Sequence, residues 1–194
     1  QFDQKSIELL FRQVKKIKKT PTKQLLKILS GKIVGLLFFE PSTRTFFTVD
    51  TAANRLGATT ISITDPNAAS LYKGETLHDT IKLVDACADA IVMRNPVEGS
   101  ARLAAETAEN PVINAGDGAN QHPTQALLDL YTIQKEKGKI DGITVMLLGD
   151  LKNGRTVHSL AQALSHYDVK LEFYSPPQLK MPSGILKDLD GKVK

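Results

Sequence analysis

Ser42, Thr43, Arg44 and Thr45 stand side by side in the stretch FFEPSTRTFF, from Phe38 to Phe47. An apolar run precedes them, and a helical pattern follows. The first turn of a helix carries backbone N–H groups without intrahelical partners and the positive end of the helix dipole. Three hydroxyls add donors there. Arg44 adds a planar fork that matches two phosphate oxygens. The set reads as a phosphate cradle of the helix-N-terminus kind. It lacks the Gly-rich run and the Lys-Ser/Thr pair of a Walker loop. The plain alternative, for this segment alone, is that Ser42 caps the helix and Arg44 is a surface charge.

Other polar residues invite the same kind of chemistry. In NAGDGANQHPTQ, from Asn114 to Gln125, His122 precedes Pro123, which suits the first turn of a helix. Gln125 lies three residues on and shares that side of the helix. An imidazole donor and an amide can together polarise a carbonyl; a capping histidine with a solvated glutamine is the alternative. Arg94 ends the apolar run DAIVMR. Lys73, in KGET, sits in a loop before a helix, either as a surface charge or as a mobile cation for a phosphate. Arg155 opens a helix after GDLKNG and reads as a fork for a carboxylate or phosphate. Gly149 and Gly154 in that loop faintly suggest a dinucleotide site, but the G-x-G-x-x-G spacing is missing.

These residues need a scaffold. Ile7, Leu10, Phe11, Val14 and Ile17 recur at helical spacing. PTKQLLKILSG reads as a short helix ending at Gly31. KIVGLLFF is a continuous apolar run, as in a strand buried on both faces. Helix, strand, helix, strand then alternate through STRTFFTVDTAANRLG, ATTISIT, GETLHDTIKLVDACA, DAIVMR, EGSARLAAETAEN, PVINA and HPTQALLDLYTIQKEKG. Alternation of this kind predicts an α/β fold: a doubly wound parallel sheet with helices on both faces and right-handed crossovers. A new unit starts near Lys139 with GITVMLLG, RTVHSLAQALSHYD and VKLEFYS. One βαβ unit is too little for a domain. The expected division is therefore a first domain over residues 1–138 and the beginning of a second α/β domain over 139–194. In such a sheet, ligands bind at the carboxyl ends of the strands. Ser42–Thr45, Arg94, the Asn114–Gln125 stretch and Arg155 all follow strands.

Bulk properties exclude several classes. A net charge of +4 with no Trp gives neither the broad basic face nor the stacking aromatics of a nucleic-acid binder. No apolar run approaches the roughly 18 residues of a membrane span, and the amphipathic start is not signal-like. Cys87 is the single cysteine. It reads as a buried structural thiol in a reducing, cytoplasmic setting.

FFEPSTRT, KGETLHDT, VMRNP, NAGDGANQHPTQALLDL and GDLKNGRTVHSLAQAL occur in that order. Together they resemble the catalytic chains of the aspartate carbamoyltransferases. The resemblance implies transfer of the carbamoyl group of carbamoyl phosphate to the amine of L-aspartate. The products are N-carbamoyl-L-aspartate and phosphate, in de novo pyrimidine synthesis. It implies no cofactor and no metal. Ser42, Thr43, Arg44 and Thr45 would hold the phosphate. Thr45, Arg94 and His122 would contact the carbonyl oxygen, and Gln125 the carbamoyl nitrogen. Arg44, Thr45, Arg94 and His122 would thus form the catalytic set. Ser70 and Lys73 would come from a neighbouring subunit of a homotrimer with shared active sites, although Ala69 competes for the place of Ser70. Arg155 would bind an aspartate carboxylate, and Glu40 would pair with arginines when the domains close. Regulatory chains are compatible with this reading; nucleic acid and membrane are not expected partners.

The sister ornithine carbamoyltransferases share the STRT and HP.Q patterns. They usually carry Cys where Thr124 stands and lack the KGE element, which favours aspartate here. After STRT the family commonly continues with a basic or small residue, whereas this chain has Phe46 and Phe47. Family chains are longer, so this one is expected to be truncated. Two further readings are a carbamoyl-phosphate-binding fragment without turnover and, more remotely, a nicotinamide-binding domain.

Overall fold

A computed structural model describes residues 2–65, 74–189 and 191. They fall into two compact units. One runs from Lys16 to Gly118. The other comprises the residues up to Lys15 and those from Ala119 onward.

The Lys16–Gly118 unit is built on a four-stranded sheet: β1 (Ile33–Phe38), β2 (Thr59–Ile63), β3 (Ala90–Asn95) and β4 (Val112–Asp117). Every pairing is parallel, in the order β2-β1-β3-β4. Helices α3 (Thr43–Arg55), α4 (Leu77–Cys87) and α5 (Ser100–Thr107) connect the strands. The chain steps from β1 to one side and later returns to place β3 on the other. The carboxyl ends of β1 and β3 therefore flank a topological switch point, where a crevice opens in sheets of this kind.

Strand alternation sorts the core. Leu37, Phe39, Ile91 and Met93 pack with Ile81, Val84, Ala101 and Ala104 of α4 and α5. Val34, Leu36, Phe38 and Val92 pack on the other face with Ala53, Ala115 and the half-buried Phe46 and Val49 of α3. Two dry faces explain why β1 and β3 read as unbroken apolar runs. Thr76 caps α4 by accepting from Asp79 N at 3.2 Å.

The other unit contains the start of α1 (Gln4–Lys19), then α6 (Pro123–Lys137), β5 (Ile143–Leu148), α7 (Arg155–Leu164), β6 (Val169–Tyr174), a 3-10 turn at Pro177–Leu179 and α8 (Ser183–Asp188). β5 and β6 pair in parallel. Ile7 and Phe11 join Leu130, Leu164 and Leu171 in its core, with Phe11 edge-on to Tyr131 at 5.4 Å.

Two expectations are corrected. The helix predicted over PTKQLLKILSG is only α2 (Thr22–Leu25) followed by turns. Lys27 N and Ile28 N bond three residues back, and Leu29 N donates to Leu56 O at 2.8 Å, outside its own helix. Cys87 is exposed, not buried. The buried stripe of α4 runs through Thr80, Ile81 and Val84, and Cys87 faces away from it.

Candidate active site

β1 delivers the chain to the switch point, and Pro41 breaks it there before α3 begins at Thr43. Ser42 occupies the N-cap position yet makes no capping bond with its side chain, and the first turn holds no acidic residue. A serine that merely capped the helix would accept from an N–H two or three residues on. Here the cap hydroxyl and the dipole are both left uncommitted to the helix. Glu40, Pro41, Ser42 and Thr43 line a cavity of about 300 Å³, walled by Phe38, Phe46, Phe47 and Thr64. Phe46 stands edge-on to buried Phe38 at 5.3 Å and to Phe47 at 5.9 Å. That ladder fixes the first turn of α3 against the sheet. Arg44 is exposed and Thr45 half-buried.

Arg94 enters from β3, in register with Phe38. It is 8% exposed. Nη2 donates to Glu40 Oε1 at 3.0 Å, and Nη1 donates to the Ala115 carbonyl at 3.4 Å. Nε is buried with no hydrogen-bond partner among the described residues. Burying a guanidinium is costly unless it is paired; Glu40 supplies the counter-charge at the rim of the cavity. The Lys16–Gly118 unit thus brings together Glu40, Ser42, Thr43, Arg44, Thr45 and Arg94. Ser70 and Lys73 lie outside the described residues.

The remaining predicted residues belong to the other unit. His122 is buried and is the N-cap of α6, with Pro123 at the first helical position. Its backbone N–H donates to Ser159 Oγ at 2.8 Å, and Ser159 Oγ in turn donates to Gln121 Oε1 at 2.5 Å. Thr124 Oγ1 lies 3.2 Å from the His122 ring Nδ1. A hydroxyl that donates here leaves the ring proton on Nε2, whereas one that accepts leaves Nε2 as an acceptor. Gln125 Nε2 donates to Asp129 Oδ1 at 2.9 Å. This engages the amide nitrogen and leaves the amide oxygen as an acceptor. Arg155 opens α7 after the DLKNG loop. Asp150 folds that loop by accepting from the backbone N–H groups of Lys152 and Asn153. These bonds, Asn153's first, hold the Asp150 carboxyl below its ordinary value. The loop is an Asx turn rather than a dinucleotide fold.

Sequence reasoning gave no individual role to Ser159, Asn114 or Asp117. Ser159 meets His122 and Gln121, 37 and 38 residues away, and Asp117 meets Gly99, 18 residues away. Asn114 bonds locally, to Gly116 N and Asp117, at an irregularity of β4 that local spacing does not mark.

Residues 1–135 match the family model described as aspartate/ornithine carbamoyltransferase, carbamoyl-P binding domain. The aspartate carbamoyltransferase catalytic subunit of Archaeoglobus fulgidus is 56% identical over 169 residues, covering 87% of this chain and 56% of that protein. The corresponding subunit of Thermococcus gammatolerans is 53% identical over 189 residues, covering 97% of this chain and 61% of that protein. Among solved structures, Trypanosoma cruzi aspartate transcarbamoylase in complex with N-(phosphonacetyl)-L-aspartic acid superposes with a TM-score of 0.92 at 41% identity, covering 98% of this chain and 62% of that one. The catalytic subunit of M. jannaschii aspartate transcarbamoylase gives 0.88 at 49%, covering 100% and 64%. The chain therefore spans a little over half the length of the curated relatives it matches. By its matched residues and its parallel α/β sheet, the chain belongs to the aspartate/ornithine carbamoyltransferase family.

Proposed function

We propose that this chain carries the carbamoyl-phosphate site of an aspartate carbamoyltransferase. The whole protein transfers the carbamoyl group to L-aspartate, an early step of pyrimidine synthesis. One observation carries the reading. The α3 N-terminus, with its cap hydroxyl unspent, opens on a 300 Å³ cavity whose rim residue Glu40 fixes the buried Arg94. Ser42, Thr43, Arg44 and Thr45 cradle the phosphate. Thr45, Arg94 and His122 donate to the carbonyl oxygen, and Gln125 accepts from the carbamoyl NH2. Arg155 pairs with an aspartate carboxylate.

In the reaction, the aspartate amine attacks the carbonyl carbon and the C=O electrons move onto oxygen. As the tetrahedral oxyanion collapses, the C–O bond to phosphate breaks and the departing phosphate takes the proton of the amine. The protein supplies position and charge. Losing one donor to such an oxyanion typically costs on the order of 10²- to 10³-fold in rate. Holding both substrates together supplies roughly 7 kcal/mol or more of the barrier.

Aspartate is favoured over ornithine by Thr124 and the KGE element in this chain and by the names of its relatives. We assign the carbamoyl-phosphate domain to residues 1–138 and the start of an aspartate domain to 139–194. The family match over 1–135 supports that division. Ser70 and Lys73 from a neighbouring subunit complete the phosphate site in a homotrimer. The lone cysteine, with no partner for an internal disulfide, supports a cytoplasmic setting.

Calorimetric titration of the chain with carbamoyl phosphate, beside an Arg44→Ala variant, tests the reading. Saturable binding is expected, weakened about tenfold or more in the variant by loss of a charge-assisted bond. Equal affinity in the two chains would sink the cradle.

A further inference from the structure

Strand β4 carries one residue more than β3 beside Arg94. Met93 pairs with Asn114 and Asn95 with Asp117, so Ala115 and Gly116 together stand opposite Arg94 as a bulge. Gly116 takes φ +120°, a backbone open to glycine at little cost. Two side chains close the bulge. Asn114 Oδ1 accepts from Gly116 N at 2.7 Å, while Asn114 Nδ2 donates to Asp117 Oδ1 at 3.3 Å. Asp117 is 2% exposed, and its Oδ2 accepts from Gly99 N at 3.1 Å, at the start of α5. The carbonyl of Ala115, inside the bulge, is the acceptor for Arg94 Nη1. Glu40 holds Nη2 from the other side. The guanidinium is thus fixed at both terminal nitrogens, and the buried Nε–H is left without a partner among the described residues. A buried donor of this sort calls for an acceptor.

We infer that Asn114 and Asp117 are positioning residues for Arg94: they lock the β4 bulge, and the Ala115 carbonyl then sets the guanidinium so that its Nε–H meets carbamoyl phosphate. This rests on Arg94 being a ligand of that substrate, and extends the site to two residues that act on it only through Arg94.

The test reads the arginine Nε–H directly, by ¹⁵N NMR of the chain, with the signal assigned through its absence in Arg94→Lys. Asn114→Ala and Asp117→Asn are compared with Asp85→Asn. Asp85 accepts from Glu109 N and Asn110 N just ahead of β4, so its variant loosens that strand away from the bulge. The unchanged chain should show a protected Arg94 Nε–H. Asn114→Ala and Asp117→Asn should lose it, and Asp85→Asn should keep it. Carbamoyl phosphate affinity should fall about tenfold or more in the first two, as expected for loss of a charge-assisted hydrogen bond. Inorganic phosphate, held by the α3 cradle, should bind all three alike. If Asn114→Ala does not fold, Asp117→Asn and the milder Asn114→Ser decide. An Arg94 signal absent from the unchanged chain, unaffected by the bulge variants, or lost equally in Asp85→Asn would overturn the inference. Normal carbamoyl phosphate binding by Arg94→Lys would instead refute the role of Arg94 as a ligand, while the NMR comparison would still decide what the bulge does.

Discussion

Arg44 and Arg94 would serve one anion in different ways. Arg44 is exposed, whereas Arg94 is buried and pinned by Glu40 and Ala115. Arg44 should therefore contribute attraction, and Arg94 geometry. His122 raises a sharper question, because an imidazole can donate a hydrogen bond or take a proton. Its backbone is clamped by Ser159 and its ring Nδ1 sits beside Thr124, so the ring is held in place for either role. His122→Asn keeps an N–H donor and removes the titrating ring. We expect the full-length enzyme carrying it to retain more turnover than His122→Ala, by about tenfold or more. Equal activity in the two variants would favour the general-base role.

At the scale of elements, the cradle depends on how α3 is seated. Its far end closes at Gly57, where φ is +91°. A methyl there would lie 1.9 Å from the Leu26 carbonyl oxygen, while the neighbouring Leu56 O accepts from Leu29 N at 2.8 Å. Gly31 has a similar φ of +79°, but an added methyl meets nothing within 4 Å. Gly57→Ala combines backbone strain with a backbone clash and should cost about 3 kcal/mol or more. Gly31→Ala carries strain alone and should cost about 1 kcal/mol. Urea midpoints of the two variants check the ordering, and equal midpoints would refute the close approach of α2 to the end of α3.

For the whole molecule, acid sensitivity follows from carboxylates that staple loops to strands. Asp85 is held below its ordinary 3.8 first by Glu109 N and also by Asn110 N. Asp89 is held below it first by the Lys32 ammonium and then by Ile33 N. Asp150 is lowered in the DLKNG loop. A carboxyl whose folded pKa is depressed adds stability above its unfolded pKa, and loses it as pH falls through the folded value. Stability should thus hold steady from neutral pH down to about 5 and decline below about 4. Asp85→Asn should shallow that decline, as read by urea unfolding across the acid range; an unchanged slope would remove Asp85 from the set.

Much of this protein was legible in one dimension. The alternation of strand-like and helical runs gave the parallel sheet, because a period of two or an unbroken apolar run already states which faces are buried. STRT after a strand marked a helix N-terminus, because Ser and Thr favour the cap and first turn of a helix. HPTQ placed His122 at a cap, because proline fits the first turn. The sequence could not reveal that α2 gives way to turns, since Leu29 N is satisfied by Leu56, nor that Cys87 faces outward. Nor could it show that Ser42 leaves its cap unmade, that Glu40 finds Arg94, or that a bulge at Ala115–Gly116 aims that arginine. Local spacing settles which backbone each segment prefers. Partners 54 residues apart, as Glu40 and Arg94 are, meet only when the sheet sets its strand order and register, and it is there that the site acquires its geometry.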